Sequence, residues 1–178
     1  ATCAVTVNSA AVAVGDSYQG GIVAYILQSG DHGYVEGQTH GLIAATNDQN
    51  GGAEMAWSNI TNVAVGASAQ GTAIGTGRAN TTAIINQFGH TASAAKVCAD
   101  YTVTVNSVTY DDWYLPSKDE LNKLCINKVA IGGFADYYYW SSSEYDAYYA
   151  WTQDFGVGLQ NYYYGKPLAL RVRAVRAF

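Results

Sequence analysis

Apolar residues in the first third of the chain form short runs separated by long polar segments, a pattern typical of strands joined by loops. Residues 21–27 (GIVAYIL) and 41–46 (GLIAAT) are rich in residues that favour strands, and a polar, glycine-containing segment separates them. They predict two strands and a long surface loop. A third short strand is predicted at residues 55–58. Residues 66–77 consist mostly of small residues without periodicity and predict a loop.

Three helices are predicted in the middle of the chain. Residues 80–88 carry apolar side chains at helical spacing, and Gly89 just beyond them predicts a glycine stop. A second helix is predicted over residues 93–101. The third begins at Ser117, which forms the S-x-x-E sequence of a capping box with Glu120 and precedes apolar residues at i, i+3 and i+4 spacing.

The last third alternates in a way that predicts strands. One strand is predicted with Trp151, Gln153 and Phe155 on one face and with Thr152 and Asp154 on the other. The chain ends with residues 170–178 (LRVRAVRAF), whose alternation predicts a further strand after a turn at residues 165–167.

Length, composition and charge narrow the class of protein. A chain of 178 residues fits one domain, and a charged fraction of 13% with 49% apolar residues excludes a disordered chain, a coiled coil and a charged helical bundle. No uninterrupted apolar run is long enough for a membrane helix, and the first residues do not resemble a signal peptide. The net charge of −5 argues against a nucleic-acid partner.

The cysteines do not suggest chemistry. Cys3, Cys98 and Cys125 are an odd number at wide spacing, so at most one disulfide could form, and no CxxC sequence exists. The last two fall within helical patterns beside apolar neighbours, where buried, unreactive thiols are expected. No nucleophile, base and orienting group assemble into a catalytic pattern, so we expect neither enzymatic activity nor a cofactor.

Two weaker patterns also lack specificity. Gly71, Gly75 and Gly77 match neither the dinucleotide-binding nor the phosphate-loop spacing. Asp111 and Asp112 could contribute to a Ca²⁺ site, although two adjacent carboxylates are also typical of a solvated turn. The sequence therefore predicts no metal site, and it leaves a structural calcium ion open.

Tyrosine provides the strongest functional signal. Nine of the 15 tyrosines lie between Tyr137 and Tyr164, an interval without Lys or Arg. Residues 137–139 and 162–164 are consecutive tyrosine triplets, which must point to both faces of a strand or lie in loops. Exposed Tyr mixed with Ser, Asn, Asp and Gly is typical of evolved binding loops. The alternative is that these rings are ordinary half-buried sheet aromatics.

Several motifs occur together between about Val14 and Phe178. They are GDSYQGGIVAYIL, GQTHGLIAA, DDWYLPSKDELNKL, IGGF, YWSSSEY, AW and RVRAVRAF. In combination they resemble the variable proteins of bacterial and phage diversity-generating retroelements, which have a C-type-lectin fold of the formylglycine-generating-enzyme type. The chain is also similar to the C-terminal domain of the Legionella collagen-like adhesin.

The resemblance implies an α+β, C-type-lectin-like fold with a small irregular antiparallel sheet, two to three helices and long loops. It implies that the C-terminal strands and loops present a ligand-binding face. Residues 1–178 are then a single ligand-binding domain, with residues 1–13 as a linker or an extra strand and residues 137–170 as the variable region.

In that family a reverse transcriptase rewrites template adenines, often within AAC codons, so the altered codons all end in C. Six residues of types that such codons cannot encode are predicted to be fixed scaffold: Trp140, Glu144, Trp151, Gln153, Gln160 and Lys166. The resemblance implies variable, ligand-binding roles for Tyr137, Tyr138, Asp146, Ala147, Tyr148, Tyr149, Thr152, Asp154, Gly156, Val157, Leu159, Asn161, Tyr162, Tyr163, Tyr164, Leu168, Ala169 and Leu170. Tyr139 and Tyr145 are assigned to the framework.

Three functions are compatible with these features. The first is a non-enzymatic receptor-binding domain with a diversified face, on a phage tail fibre or a bacterial surface, which binds an unknown protein or glycan receptor. The second is a glycan-binding adhesin without diversification. The third is an enzyme of the formylglycine-generating class, for which no reactive cysteine pair is evident. The EPN, QPD and WND motifs of calcium-dependent lectins are absent. Membrane insertion is not expected, and a homo-oligomer is compatible with the sequence.

Overall fold

The computed structural model describes residues 12–178, so Cys3 and most of the segment 1–13 lie outside the described part. Within that part the chain forms an α+β fold with four helices and three small antiparallel sheets, as the sequence predicts. No helix among residues 12–178 has the length and apolar character that a bilayer crossing requires.

The largest sheet joins the first strands of the described chain to its last. Its four antiparallel strands have the order β1-β2-β3-β9. The predicted strands at residues 21–27 and 41–46 are confirmed as β2 and β3, which pair with each other across a β-bulge. The strand bounds are β1 Ser17–Tyr18, β2 Gly21–Ile26, β3 Gly41–Ala44 and β9 Val175–Ala177.

The other two sheets are smaller. β4 and β5 form a hairpin whose turn residues, Asn106 and Ser107, have φ angles of 50° and 64°. β6, β7 and β8 form a three-stranded sheet with β7 at its centre. The bounds are β4 Val103–Val105, β5 Val108–Tyr110, β6 Tyr138–Glu144, β7 Ala150–Asp154 and β8 Gln160–Asn161.

All three predicted helices form, and a fourth follows them. The capping box is confirmed, since the amide of Ser117 donates to Glu120 Oε2 at 2.7 Å and the amide of Glu120 donates to Ser117 Oγ at 3.3 Å. The second helix is capped by Ser93, whose Oγ accepts from the amide of Lys96. The bounds are α1 Gly77–Ile85, α2 Ala94–Ala99, α3 Lys118–Ile126 and α4 Lys128–Ile131.

The first helix starts three residues before its predicted start and ends before Phe88, which is fully exposed. Its first residue, Gly77, is buried, and an added Cβ there would lie 2.2 Å from Glu120 Oε2. Residues 66–77 are predicted to be a loop, but α1 begins at Gly77, the last of them. Glycine is needed there because any side chain would prevent α1 from approaching the capping box this closely.

Two predicted strands are largely wrong. Residues 55–58 form only isolated bridges, from Met55 to Leu170 and from Ser58 to Ser93. Only the end of the segment 170–178 is a strand, β9. Its predicted alternation also fails, because Arg173 and Arg176 are buried with the apolar residues between them. These guanidinium groups are tolerated inside because each has a carboxylate partner.

Those partners are aspartates from distant parts of the chain. Arg173 Nε donates to Asp48 Oδ1 at 2.8 Å, and its other nitrogens donate to backbone carbonyls. Arg176 Nε donates to Asp112 Oδ1 at 2.5 Å. Asp112 also pairs with Arg78 at 3.2 Å. Asp112 is thus part of a structural ion-pair group, and no metal-binding group of three His, Cys, Asp or Glu side chains occurs within residues 12–178.

The core lies between the sheets and the helices. Its largest fully buried side chains include Trp57, Trp140, Tyr139 and Phe155. Two buried free cysteines also contribute: Cys98 in α2 and Cys125 in α3. Burial raises the pKa of both thiols, which agrees with their predicted lack of reactivity.

Candidate ligand-binding face

The β6–β7–β8 sheet separates a buried set of aromatic residues from an exposed one. Tyr139 is fully buried, and its hydroxyl donates to Asp48 Oδ2 at 2.9 Å. Burial and the Asp48 carboxylate raise the pKa of Tyr139 to about 12. Trp140 is also fully buried and donates from Nε1 to the carbonyl of Met55. Tyr137, two residues before Tyr139, is 41% exposed, so the triplet 137–139 spans the boundary between core and surface.

A buried ion pair fixes the end of β6. Lys166 Nζ lies 2.6 Å from Glu144 Oε1, and both side chains are fully buried. The carboxylate of Glu144 also accepts the amides of Val65 and Gly66 at 2.8 and 2.7 Å. Lys166 Nζ donates in addition to the carbonyl of Ala147 at 3.0 Å and lies 4.8 Å from the ring centre of Trp57. Both charges are therefore well satisfied inside the protein.

The β6–β7 loop is ordered by hydrogen bonds at its base and within its turn. Asp146 Oδ1 accepts the amides of Tyr148 and Tyr149 at 2.8 and 2.9 Å. The carbonyl of Tyr148 accepts the amide of Lys166 at 2.9 Å. These bonds hold the loop through its backbone and the Asp146 side chain. The rings of Tyr148 and Tyr149 are not needed for this and are 58% and 40% exposed.

Four tyrosines and one aspartate surround a cavity of about 270 Å³ on this face. We call it the tyrosine pocket, and its residues are Tyr145, Asp146, Tyr149, Tyr162 and Tyr163. The rings of Tyr145 and Tyr162 are stacked with their centres 4.1 Å apart. The ring of Tyr163 lies 4.7 Å from that of Tyr162 and is 72% exposed. The neighbouring Tyr162 hydroxyl raises the pKa of Tyr163.

Trp151 forms one side of this aromatic group. Its ring contacts those of Tyr145 and Tyr162 edge-on, at 5.8 and 5.1 Å between centres. The ammonium group of Lys118 lies 4.6 Å from the Trp151 ring centre. Trp151 is therefore half-buried beneath the tyrosine pocket and does not belong to the core.

A second aromatic group lies at the start of β6. The rings of Tyr138 and Tyr164 are 4.5 Å apart, and the ring of Tyr137 lies 6.2 Å from Tyr138. The neighbouring Tyr164 hydroxyl and Asp154 carboxylate raise the pKa of Tyr138. The guanidinium carbon of Arg171 lies 6.0 Å from the ring centre of Tyr137.

The remaining predicted variable residues are not all gathered at the pocket. Val157 lines a different cavity, with Ile126 and Cys125 of α3. Leu159 lies two residues further along the β7–β8 hairpin and is 65% exposed, and Leu168 is 49% exposed in the turn after Lys166. The predicted variable stretch thus presents the tyrosine pocket, the Tyr138 group and an apolar hairpin tip.

Burial separates the two sets of residues that codon chemistry distinguishes. Of the 18 residues predicted to vary, only Thr152 and Leu170 are buried, and the others are exposed or half-buried. Leu170 packs in the core. Thr152 is covered because β7 is a central strand, and its hydroxyl donates to Asn161 Oδ1 at 2.9 Å.

The six predicted scaffold residues show the converse. Trp140, Glu144, Gln153 and Lys166 are buried, whereas Trp151 and Gln160 are half-buried. The framework residue Tyr139 is buried, but Tyr145 is 43% exposed and belongs to the tyrosine pocket. Tyr145, which the YWSSSEY motif assigned to the framework, follows a shift in the β6–β7 register between Trp140 and Glu144. Tyr145 and Tyr162 contact Trp151 edge-on, and no local sequence pattern indicates these contacts.

The geometry can be compared with known families. The family model of the Lcl C-terminal domain matches residues 35–176, which is most of the chain and includes the whole of the β6–β7–β8 sheet. The comparison with curated proteins found no match.

Proposed function

The chain belongs to the Lcl C-terminal domain family, and we propose that it is a non-enzymatic ligand-binding domain that acts as an adhesin through the exposed tyrosines of its C-terminal third. The family, whose name refers to a Legionella collagen-like protein, fits an adhesin-like surface domain. The expected setting is a bacterial surface or a phage tail fibre, and the expected partner is a protein or glycan receptor on a cell.

The observation that carries this proposal is the distribution of the rings. Tyr148, Tyr149 and Tyr163 are largely exposed, and the amides of Tyr148 and Tyr149 are held by the Asp146 carboxylate. Tyr offers a large amphipathic contact area and loses few rotamers on binding, so rigid exposed tyrosines are suited to recognition. Ordinary half-buried sheet aromatics, the alternative interpretation, would not reach these exposures.

We further propose that a retroelement diversifies this face on a C-type-lectin-like scaffold. The support is the agreement between codon chemistry and burial described above: residues that adenine rewriting cannot produce are mainly inside, and those it can produce are mainly outside. The gene offers a direct test. We expect a nearby template repeat that differs from the coding sequence only opposite template adenines, and a reverse transcriptase gene beside it. A coding sequence without such a template would contradict diversification and would leave a fixed adhesin.

Binding itself requires a separate test with matched variants. Fluorescently labelled domain is applied to intact bacterial cells and to a glycan array, and Tyr149→Ala and Tyr163→Ala are compared with Tyr34→Ala. Tyr34 is 38% exposed but lies in the β2–β3 loop. We expect the first two changes to reduce binding by about tenfold or more, as truncation of central interface residues does, with no effect of the third. Equal loss in all three variants would contradict the proposed face.

A glycan ligand is the second candidate, since stacked tyrosine rings can pack against sugar rings. Binding to the array that survives a chelator and is lost in Tyr163→Ala would favour it. Binding to cells stripped of surface glycans but not of protein would favour a protein receptor.

A further inference from the structure

We propose that the tyrosine pocket binds an organic cation of the alkylammonium class, in the manner of an aromatic cage. This inference rests on the proposed function, because it assigns a ligand chemistry to the face on which that function depends. Four tyrosine rings and one carboxylate surround the cavity of about 270 Å³. Ring faces carry the negative part of an aromatic quadrupole and attract cations, and quaternary ammonium groups are commonly bound in such cages.

The carboxylate is placed to add to this attraction. Asp146 uses Oδ1 to accept the amides of Tyr148 and Tyr149, and both of these bonds leave Oδ2 for a ligand. The two backbone bonds also fix the orientation of the carboxylate, so it does not need to be ordered when a ligand binds. A cation in the pocket would therefore meet a preorganised negative charge.

The charge of the residues that line the pocket argues against an anionic ligand. Within residues 12–178, no Lys or Arg lines the pocket. The sequence between Tyr137 and Tyr164 also contains neither residue type. A sulfate, phosphate or carboxylate ligand would meet Asp146 without a compensating cation. A neutral ligand could use the rings but would gain nothing from the carboxylate.

The same aromatic group already holds one ammonium. Lys118 Nζ lies 4.6 Å from the ring centre of Trp151, whose edges contact Tyr145 and Tyr162 of the pocket. The Lys118 side chain is only 24% exposed in this position. The structure thus shows an ammonium group at a ring that adjoins the pocket.

A pair of isosteric probes tests the proposal. Choline carries a trimethylammonium group, and 3,3-dimethylbutan-1-ol replaces its nitrogen by carbon without charge. Each is titrated into the 178-residue chain, and binding is followed through the tyrosine ring resonances by NMR. We expect choline to bind about tenfold more tightly than the alcohol, which corresponds to about 1.4 kcal/mol and lies within the range of cation–π interactions.

Two variants with the same change of charge locate the effect. Asp146→Asn keeps an oxygen for the two backbone bonds, and we expect it to weaken choline binding about fivefold without affecting the alcohol. Asp136→Asn removes an exposed carboxylate that pairs with Lys128 outside the pocket, and we expect no effect. Tyr163→Ala should reduce the affinity for both probes.

Equal affinity for the two probes, or equal effects of the two Asp→Asn changes, would overturn the assignment of a cation. Absence of choline binding at concentrations up to tens of millimolar would overturn it too. Neither outcome affects the proposed function, which is tested separately by comparing the binding of Tyr149→Ala, Tyr163→Ala and Tyr34→Ala to cells and to the glycan array.

Discussion

The C-terminal third differs from strands β2 and β3 in the polarity of the side chains that it buries. Inside, it buries polar and charged side chains beside the aromatic Tyr139, Trp140 and Phe155: these are Ser141–Ser143, Glu144, Gln153 and Lys166. Outside, the exposed side chains include tyrosine, valine and leucine. Strands β2 and β3 show the usual order, with Val23, Leu42 and Ile43 buried.

The difference has a physical reason. Apolar packing is not directional, so it specifies a loop path poorly, whereas hydrogen bonds and ion pairs specify both partners and their geometry. In the C-terminal third Ser143 Oγ donates to the carbonyl of Gly71 at 2.6 Å, and Ser141 Oγ donates to that of Trp151 at 2.8 Å. The polar interior therefore determines where the loops run, and the outer side chains do not have to contribute to folding.

The buried ion pair should give the largest effect if this comparison is correct. Lys166→Met leaves the Glu144 carboxylate buried without its partner, and we expect a loss of about 3 to 5 kcal/mol in the free energy of unfolding. Lys96→Met is the control, because Lys96 and Asp100 form an exposed i,i+4 pair worth about 0.5 kcal/mol or less. Denaturant unfolding measures both. Similar losses in the two variants would show that the polar interior does not hold the loops.

A double variant tests how the loss arises. Glu144→Gln removes the charge that Lys166→Met leaves unpaired, so the two changes together should cost less than the sum of the two single changes. Additive losses would indicate that each side chain acts separately.

Trp140 and Trp151 test where the boundary between the buried and the exposed face lies. Trp140→Ala removes a fully buried side chain that also donates to the carbonyl of Met55, and we expect a loss of about 3 to 5 kcal/mol. Trp151 is half-buried under the tyrosine pocket, so Trp151→Ala should cost about half as much in stability. It should also disturb the stacking of Tyr145 and Tyr162, which near-ultraviolet circular dichroism can detect. Equal losses would place Trp151 in the core after all.

The ion pairs of Asp112 with Arg176 and Arg78 are partly exposed, so their contribution to the free energy of unfolding should be intermediate. That contribution should also depend on pH. Burial alone would raise the pKa of Asp112, but the guanidinium groups of Arg176 and Arg78 outweigh it and hold that pKa below its ordinary value. A lowered folded-state pKa means that the stabilisation is present above the unfolded pKa of about 3.9 and is lost as the pH falls through the folded pKa.

We therefore expect Asp112→Asn to cost about 1 kcal/mol at pH 7, with less difference from the unmodified chain at pH 2. Urea unfolding at several pH values measures this, and Asp111→Asn provides the neighbouring control. A constant difference across the pH range would mean that the carboxylate acts through hydrogen bonding alone.

Local signals in the sequence were sufficient for much of the fold. The capping box at Ser117, strands β2 and β3, and the helix that contains Cys98 all follow from spacing within a few residues. The failures involve partners that are distant in sequence. Arg173 is buried only because Asp48 lies 125 residues earlier, and no local pattern contains that information.

The candidate ligand-binding face could likewise be predicted only where a local sequence pattern was sufficient. Exposure of the second tyrosine triplet could be predicted because consecutive rings cannot share one face of a strand. The position of Tyr145 could not, since it depends on a register shift in β6 and on a stacking partner, Tyr162, that lies beyond β7 and β8.

The smallest effects on the free energy of unfolding are expected for substitutions on the outer face. They test whether the outer side chains contribute to folding. Tyr148→Ala and Tyr163→Ala remove rings that are 58% and 72% exposed, so each should change the free energy of unfolding by about 0.5 kcal/mol or less. Leu170→Ala is the contrasting change, because Leu170 was predicted to vary but packs in the core, and it should cost about 2 kcal/mol or more.

These values can be measured by denaturant unfolding of the three variants. If the two tyrosine variants lose as much stability as Leu170→Ala, the rings contribute to folding, and the face could not tolerate replacement of its side chains. Losses near 0.5 kcal/mol in both would mean that selection for a ligand can act on this face without a cost in folding. Leu170 would then be constrained by packing even where its codon can change, so the variable surface would end before Leu170 and would be narrower than the sequence predicts.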